Sequence, residues 1–145
     1  MTELTNLINK QLPSKRLEQI RDVFVFSCFT GLAYCDAQAL TAEHIIVGSN
    51  GAPWLRTHRQ KTSTPVDVPL LDVPLQILAK YDGCGGNDKL LPIPANQKCN
   101  DYLKEIAAIC GIEKRLTFHL ARHSISSFSL KTNDLQNLNL RQVTI

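Results

Sequence analysis

The sequence predicts an α+β domain, mainly helical, with a small three-stranded antiparallel sheet set between two groups of helices. Three observations lead there. Apolar residues recur at helical spacing over Leu17–Cys28 and again over Leu103–Cys110. Between these stretches the pattern shortens to strands, with Asn50-Gly51 as a hairpin signal. The elements are also segregated instead of alternating, which disfavours a parallel doubly wound sheet.

Taken in order, Ser14 is placed to cap a helix from Lys15 to about Thr30, with Gly31 as its stop. Leu17, Ile20, Phe24 and Cys28 share one face, and the run VFVFSCF is apolar all round, so this helix should end deep in the core. A short helix follows over Tyr34–Leu40. Strands are expected at Ile45–Val47, Trp54–His58 and Val66–Val68, with the polar segment Arg59–Thr64 joining the last two. Pro65 and Pro69 bracket the third strand and place it at a sheet edge. Asp72 opens a helix to about Tyr81, with Pro74 tolerated in its first turn. The glycine-rich segment Asp82–Asp88 lacks the spacing of a phosphate-binding loop and reads as a connector. A helix over Asn96–Cys110 carries the stripe Leu103, Ile106, Ala107, Cys110 and ends at Gly111. Thr117 caps a last helix from Phe118 to about Leu130.

Composition limits the function classes. The 145 residues are 43% hydrophobic and 20% charged, enough to bury one core and too few for two full domains. The net charge of +3 permits a nucleic-acid partner without demanding one. Five cysteines with no C-x-x-C pair point to reduced thiols and a cytoplasmic setting. The longest near-apolar stretch, Val23–Ala33, is about half the length a membrane span needs, and no signal-peptide core is present.

Two groups of residues could carry chemistry. With Thr117 as cap, His119 lies in the first turn of its helix and Arg122 three residues on, along the same face. A helix N-terminus offers free N–H groups, the guanidinium grips two phosphate oxygens, and the imidazole moves a proton. The plainer reading makes Arg122 a surface residue and His119 a hydrogen-bonded core histidine. Lys61 lies in RQKT on the presumed hairpin with Arg56, His58 and Arg59 close by, either a DNA contact or a solvated charge cluster. His119 and His123 are spaced as a zinc pair, but Leu120 stands where a metalloprotease has Glu and no third ligand is near. No metal or other cofactor is expected.

Together the segments CFTGLAYCDAQALT, RQKT with VDVPL, LLPIPANQKCNDYLKEIAAICGI and LTFHLARHS resemble the catalytic domain of the tyrosine recombinase (phage integrase) family, particularly integrases of mobile and conjugative elements. The resemblance runs from about Leu12 to Ser124. It implies a DNA-breaking and rejoining chemistry with no cofactor and no small-molecule substrate. A tyrosine attacks a phosphodiester, and two arginines and a histidine hold the non-bridging oxygens. A hairpin lysine protonates the leaving 5′ oxygen. Mapped onto this chain, Lys61 is that lysine and His119 with Arg122 the H-x-x-R pair. Arg56, His58, Arg59, Lys61, Arg122 and His123 are the expected DNA contacts.

Two departures stand out. The family commonly has an arginine directly after T-G-L, where this chain has Ala33. The nucleophilic tyrosine expected beyond the H-x-x-R helix is also missing: the chain's tyrosines are Tyr34, Tyr81 and Tyr102. The expected organisation is therefore a lead-in over 1–11, a partial catalytic domain over 12–130 truncated before its nucleophile, and a divergent polar tail over 131–145. The expected partners are DNA and other recombinase protomers in a homo-oligomer on DNA, with strand cleavage by this chain alone not expected. The alternatives are a non-catalytic DNA-binding or regulatory module and a decayed remnant of a mobile-element integrase.

Overall fold

A computed structural model describes residues 2–49, 51–84, 86, 88–113, 115–118 and 120–121, with side chains from Asn6 onward. Helix α1 (Thr2–Asn9) leads into α2 (Lys15–Thr30) and the short α3 (Tyr34–Gln38). A 3-10 turn (Ala42–His44) precedes strands β1 (Ile45–Val47), β2 (Pro53–His58) and β3 (Pro65–Pro69), and helices α4 (Asp72–Lys80) and α5 (Asn96–Cys110) complete the named elements. The α+β class and the three-stranded sheet are as the sequence predicts.

Helix α2 is the axis of the domain. The Ser14 hydroxyl accepts the Leu17 N–H at 3.4 Å, and Gly31 ends the helix at φ 74°, its N–H donating to the Ser27 carbonyl at 2.8 Å. Only a residue without Cβ takes that left-handed conformation at little cost. Every residue from Ile20 to Thr30 is buried, so the all-round apolar run does end inside the core. Helices α1, α4 and α5 pack against it. Helix α5 lays Cys99, Leu103, Ile106, Ala107 and Cys110 inward, which includes the stripe read from the sequence.

A polar network runs through this apolar packing. The Asp22 carboxylate is fully buried and accepts hydrogen bonds from Arg21 Nε at 2.7 Å, Lys80 Nζ at 2.7 Å and the Tyr81 hydroxyl at 2.6 Å. Lys80 also reaches Glu18 at 2.6 Å. Arg21 Nη1 donates to the carbonyls of Leu7, Ile8 and Lys10 at 3.3, 3.3 and 3.0 Å, closing the C-terminal end of α1. The network thus ties α1 and α4 to α2. Helix α1 itself is an addition to the sequence reading, which gave the lead-in no element. It buries Leu7 and Ile8, and Asn6 Nδ2 donates to the Cys110 carbonyl at 3.0 Å.

The sheet runs β1-β2-β3, antiparallel throughout. Register pairs Leu55 with Ile45 on one side and Val68 on the other, so these residues face the core, and Trp54, Arg56 and His58 lie on the outer face of β2. Strand β3 is an edge, as its flanking prolines require. At the β1–β2 turn, Trp54 lies over Gly48 so closely that a Cβ there would sit 2.8 Å from the indole ring. The Thr117 hydroxyl accepts the Leu120 N–H at 3.0 Å and its carbonyl accepts the Ala121 N–H at 3.0 Å, so the expected cap is in place. The rest of the predicted helix to Leu130 and the tail 131–145 lie outside the described residues. No helix among those described is long and apolar enough to cross a membrane.

Removing one partner from a buried ionic network leaves the others uncompensated. Asp22→Ala is therefore expected to cost about 3–5 kcal/mol in urea unfolding, whereas Tyr81→Phe, which removes one neutral donor, costs about 1 kcal/mol. A loss below about 1 kcal/mol for Asp22→Ala would show that the network is not a structural constraint. Glu18 adds a pH dependence. Its hydrogen bond from Lys80, opposed by partial burial and reinforced by the charges of Lys80, Arg21 and Lys15, holds its carboxyl below the ordinary 4.5. A depressed folded pKa contributes stability that is present above 4.5 and lost as pH falls through the folded value. Thermal midpoints measured across acid pH should drop in that window, and Glu18→Gln should flatten the drop.

Candidate functional site

The hairpin between β2 and β3 is closed by the Arg59 N–H donating to the Thr64 carbonyl at 2.9 Å, and the Ser63 N–H turns back to the Arg59 carbonyl at 2.7 Å. Ser63 takes the left-handed conformation, φ 57°, at the tip. The Thr62 and Thr64 hydroxyls share a hydrogen bond of 2.7 Å. The tip is thereby shaped, and Lys61 stands exposed on it.

What aims this tip is Asp36, a residue the sequence reading did not single out. Helix α3 follows the Gly31 stop and places Asp36 almost fully buried, 4% exposed. Its Oδ1 accepts the Gln60 backbone N–H at 2.9 Å, and its Oδ2 lies 3.9 Å from Arg59 Nη1. Gln60 Nε2 also donates to the Cys35 carbonyl at 3.2 Å. The carboxylate thus anchors the hairpin tip to α3. At 3.9 Å the Arg59 contact is an ion pair without a hydrogen bond, and Nη1, buried, has no hydrogen-bond partner among the described residues. The signal for Asp36 was a short-chain acid three residues after Ala33, indistinguishable in sequence from any helix acid.

The tip forms one wall of a cleft of about 710 Å³. Arg59, Lys61, Thr62 and Thr64 line that wall, and Ala33 with Tyr34, Cys35 and Asp36 lines the base. Asn96 and Asn100 of α5 face them with the Thr117–Phe118 turn. The structure therefore brings Ala33, Arg59, Lys61 and the Thr117 cap to one place. Arg56 and His58 do not line it. Arg56 is paired across the strands with Asp67 at 2.9 Å on the outer face, with both side chains largely solvent-exposed. His119, Arg122 and His123 lie outside the described residues. Among those described, no cluster of His, Cys, Asp or Glu is arranged to hold a metal ion.

Tyr34 is the tyrosine that lines the cleft, and it is not poised as a nucleophile. Its hydroxyl donates to the Pro94 carbonyl at 2.6 Å and accepts from Gln38 at 2.9 Å. Burial, with the nearby Cys99, pushes its pKa above the ordinary 10. Attack on a phosphorus centre needs the phenolate, which this environment disfavours.

No protein-family pattern matches the chain, and no curated protein sequence does either. Solved structures do. The chain aligns with XerH site-specific recombinase bound to its difH substrate in a pre-cleavage complex, at TM-score 0.69 and 16% identity. It also aligns with XerH bound to a palindromic difH substrate in a post-cleavage complex, at TM-score 0.69 and 15% identity. The fold is tyrosine-recombinase-like. Each alignment covers 98% of this chain and 46% of XerH, so the chain spans about half the length of that recombinase. At this identity the likeness concerns the fold, and it agrees with the arrangement expected from the sequence resemblance.

If Asp36 anchors the hairpin, Asp36→Ala should speed hydrogen exchange at the Gln60 amide and lower stability by about 1–3 kcal/mol, the cost of stranding a buried donor. Asp36→Asn keeps an acceptor and should retain much of the protection. Unchanged exchange at Gln60 in Asp36→Ala would show that the tip is held by other contacts.

Proposed function

We propose that this chain is a DNA-phosphate-binding domain of the site-specific recombinase type, related to integrases of mobile elements, that holds a phosphodiester without cleaving it. The observation that carries the reading is the cleft in which a hairpin lysine and arginine face the position after T-G-L and the Thr117 cap. In this reading the Lys61 ammonium contacts the phosphodiester, at the position where a cleaving relative would protonate the leaving 5′ oxygen. His119 and Arg122, which follow Thr117 in sequence and lie outside the described residues, hold the non-bridging oxygens in this reading. Arg59 supplies the positive charge that the position of Ala33 does not, since it lines the same cleft. Arg56 and His58, outside the cleft, and His123 are further DNA contacts in this reading, with Arg56 weakened by its pairing to Asp67.

The tyrosines of these 145 residues are Tyr34, Tyr81 and Tyr102, all before the H-x-x-R segment, and Tyr34 has its hydroxyl engaged elsewhere. That favours a binding role for the chain, alone or alongside recombinase protomers that carry their own nucleophile. The reading involves no metal and no nucleotide energy source.

The test is a short duplex titrated at several low salt concentrations. Wild-type binding should weaken as salt rises. Lys61→Ala and Arg122→Ala, each of which takes away one phosphate partner, should reduce the slope of log K against log salt by about 1 apiece. A nicked suicide duplex should give no covalent protein–DNA adduct. Binding that is indifferent to both substitutions, or a covalent adduct formed by this chain alone, would overturn the reading.

A further inference from the structure

The cleft is larger and chemically more varied than a phosphate requires. At about 710 Å³ it lies in the size range of small-molecule sites, and among the described residues its cations, Arg59 and Lys61, come from the hairpin. Asn96 and Asn100, one helical turn apart on α5, also line the cleft, and their amides have no hydrogen-bond partner among the described residues. Tyr34 and the buried Phe118 also line it, with ring centroids 5.6 Å apart. Tyr34 is fixed at its far end by Pro94 and Gln38, so its ring is held in place before any ligand arrives.

We infer that the cleft binds a whole nucleotide whose base is unstacked, with the phosphate against Arg59 and Lys61 and the base against Tyr34, Asn96 and Asn100. This rests on the phosphate site proposed above and extends it to the base. An aromatic platform beside a cationic wall is the combination that holds unpaired nucleotides, because stacking and charge act on different parts of the ligand. The two amides add selectivity. Asparagine presents a donor and an acceptor together, the complement of the adenine N6/N7 edge. Asp36 does not oppose the phosphate strongly, because its carboxylate is directed to the Gln60 N–H and to Arg59.

The experiment is a titration of the full chain, followed by calorimetry or amide chemical shifts, with inorganic phosphate, dAMP and dTMP as probes. Stacking on one aromatic is enough for dAMP to bind about tenfold or more tightly than inorganic phosphate, with dTMP between them. Asn100→Ala should bring the ratio of dAMP to phosphate affinity toward one, and Asn96→Ala, at an exposed position, provides a second variant with little risk to folding. A short duplex with one bulged deoxyadenosine, compared with its fully paired counterpart, separates the sources. Preference for the bulged duplex identifies a nucleotide within DNA, and dAMP binding without that preference identifies a free nucleotide. Equal affinity for dAMP and phosphate, or a ratio unmoved by both asparagine variants, overturns the inference. If phosphate binding depends on Lys61 in that case, the phosphate site stands and only the base subsite fails. Phosphate binding that ignores Lys61→Ala removes both.

Discussion

The architecture depends on the buried carboxylate of Asp22. A charge taken out of water costs several kcal/mol unless it is met by partners, and here three donors meet it from two directions: Arg21 beside it on α2, and Lys80 and Tyr81 at the end of α4. Such a network contributes more to uniqueness than to net stability. An apolar helix as fully buried as α2 could rotate or slide among alternative packings of similar energy. The position that satisfies Asp22 also sets where Arg21 meets the α1 carbonyls and where α4 begins its return. The orientation of α2 then passes along the chain. Gly31 stops it at one point, α3 starts from there, and Asp36 takes hold of the hairpin tip. Lys61 is thus placed by a line of polar contacts that begins in the middle of the core.

The sequence revealed what local chemistry determines. Helices α2 and α5 were legible to the residue because each has a stop glycine in the left-handed conformation and an apolar stripe at helical spacing. The strands were legible because prolines and a hairpin dipeptide punctuate them. Helix α1 was not. Eight residues are too few for a stable helix alone, and its docking comes from Arg21, eleven to fourteen residues away, and from the Cys110 carbonyl, 104 residues away. The same holds in the cleft. Lys61 could be placed at a hairpin tip from its neighbours, but Asp36 acquires its role from a contact across 24 residues. Arg56 was grouped with the other cations by proximity in sequence, whereas strand alternation turns it to the outer face and gives it to Asp67.

Arg59 shows how a fold can prepare a site without a ligand. Its guanidinium is drawn in by Asp36, which offsets part of the cost of desolvating it, but the 3.9 Å separation leaves the Nη1 hydrogens unmatched. A buried unpaired donor costs about 1–3 kcal/mol. A shorter Asp36–Arg59 contact would remove that penalty and would also leave the guanidinium neutralised and occupied. Arg59 lines the cleft together with Lys61 and Ala33, while its Nη1 atom is itself shielded from solvent. Nη1 can donate to an anionic oxygen only once the side chain moves enough to uncover it. Among the described residues, positive charge therefore enters the cleft from the hairpin, through Arg59 and Lys61, instead of from the loop after α2.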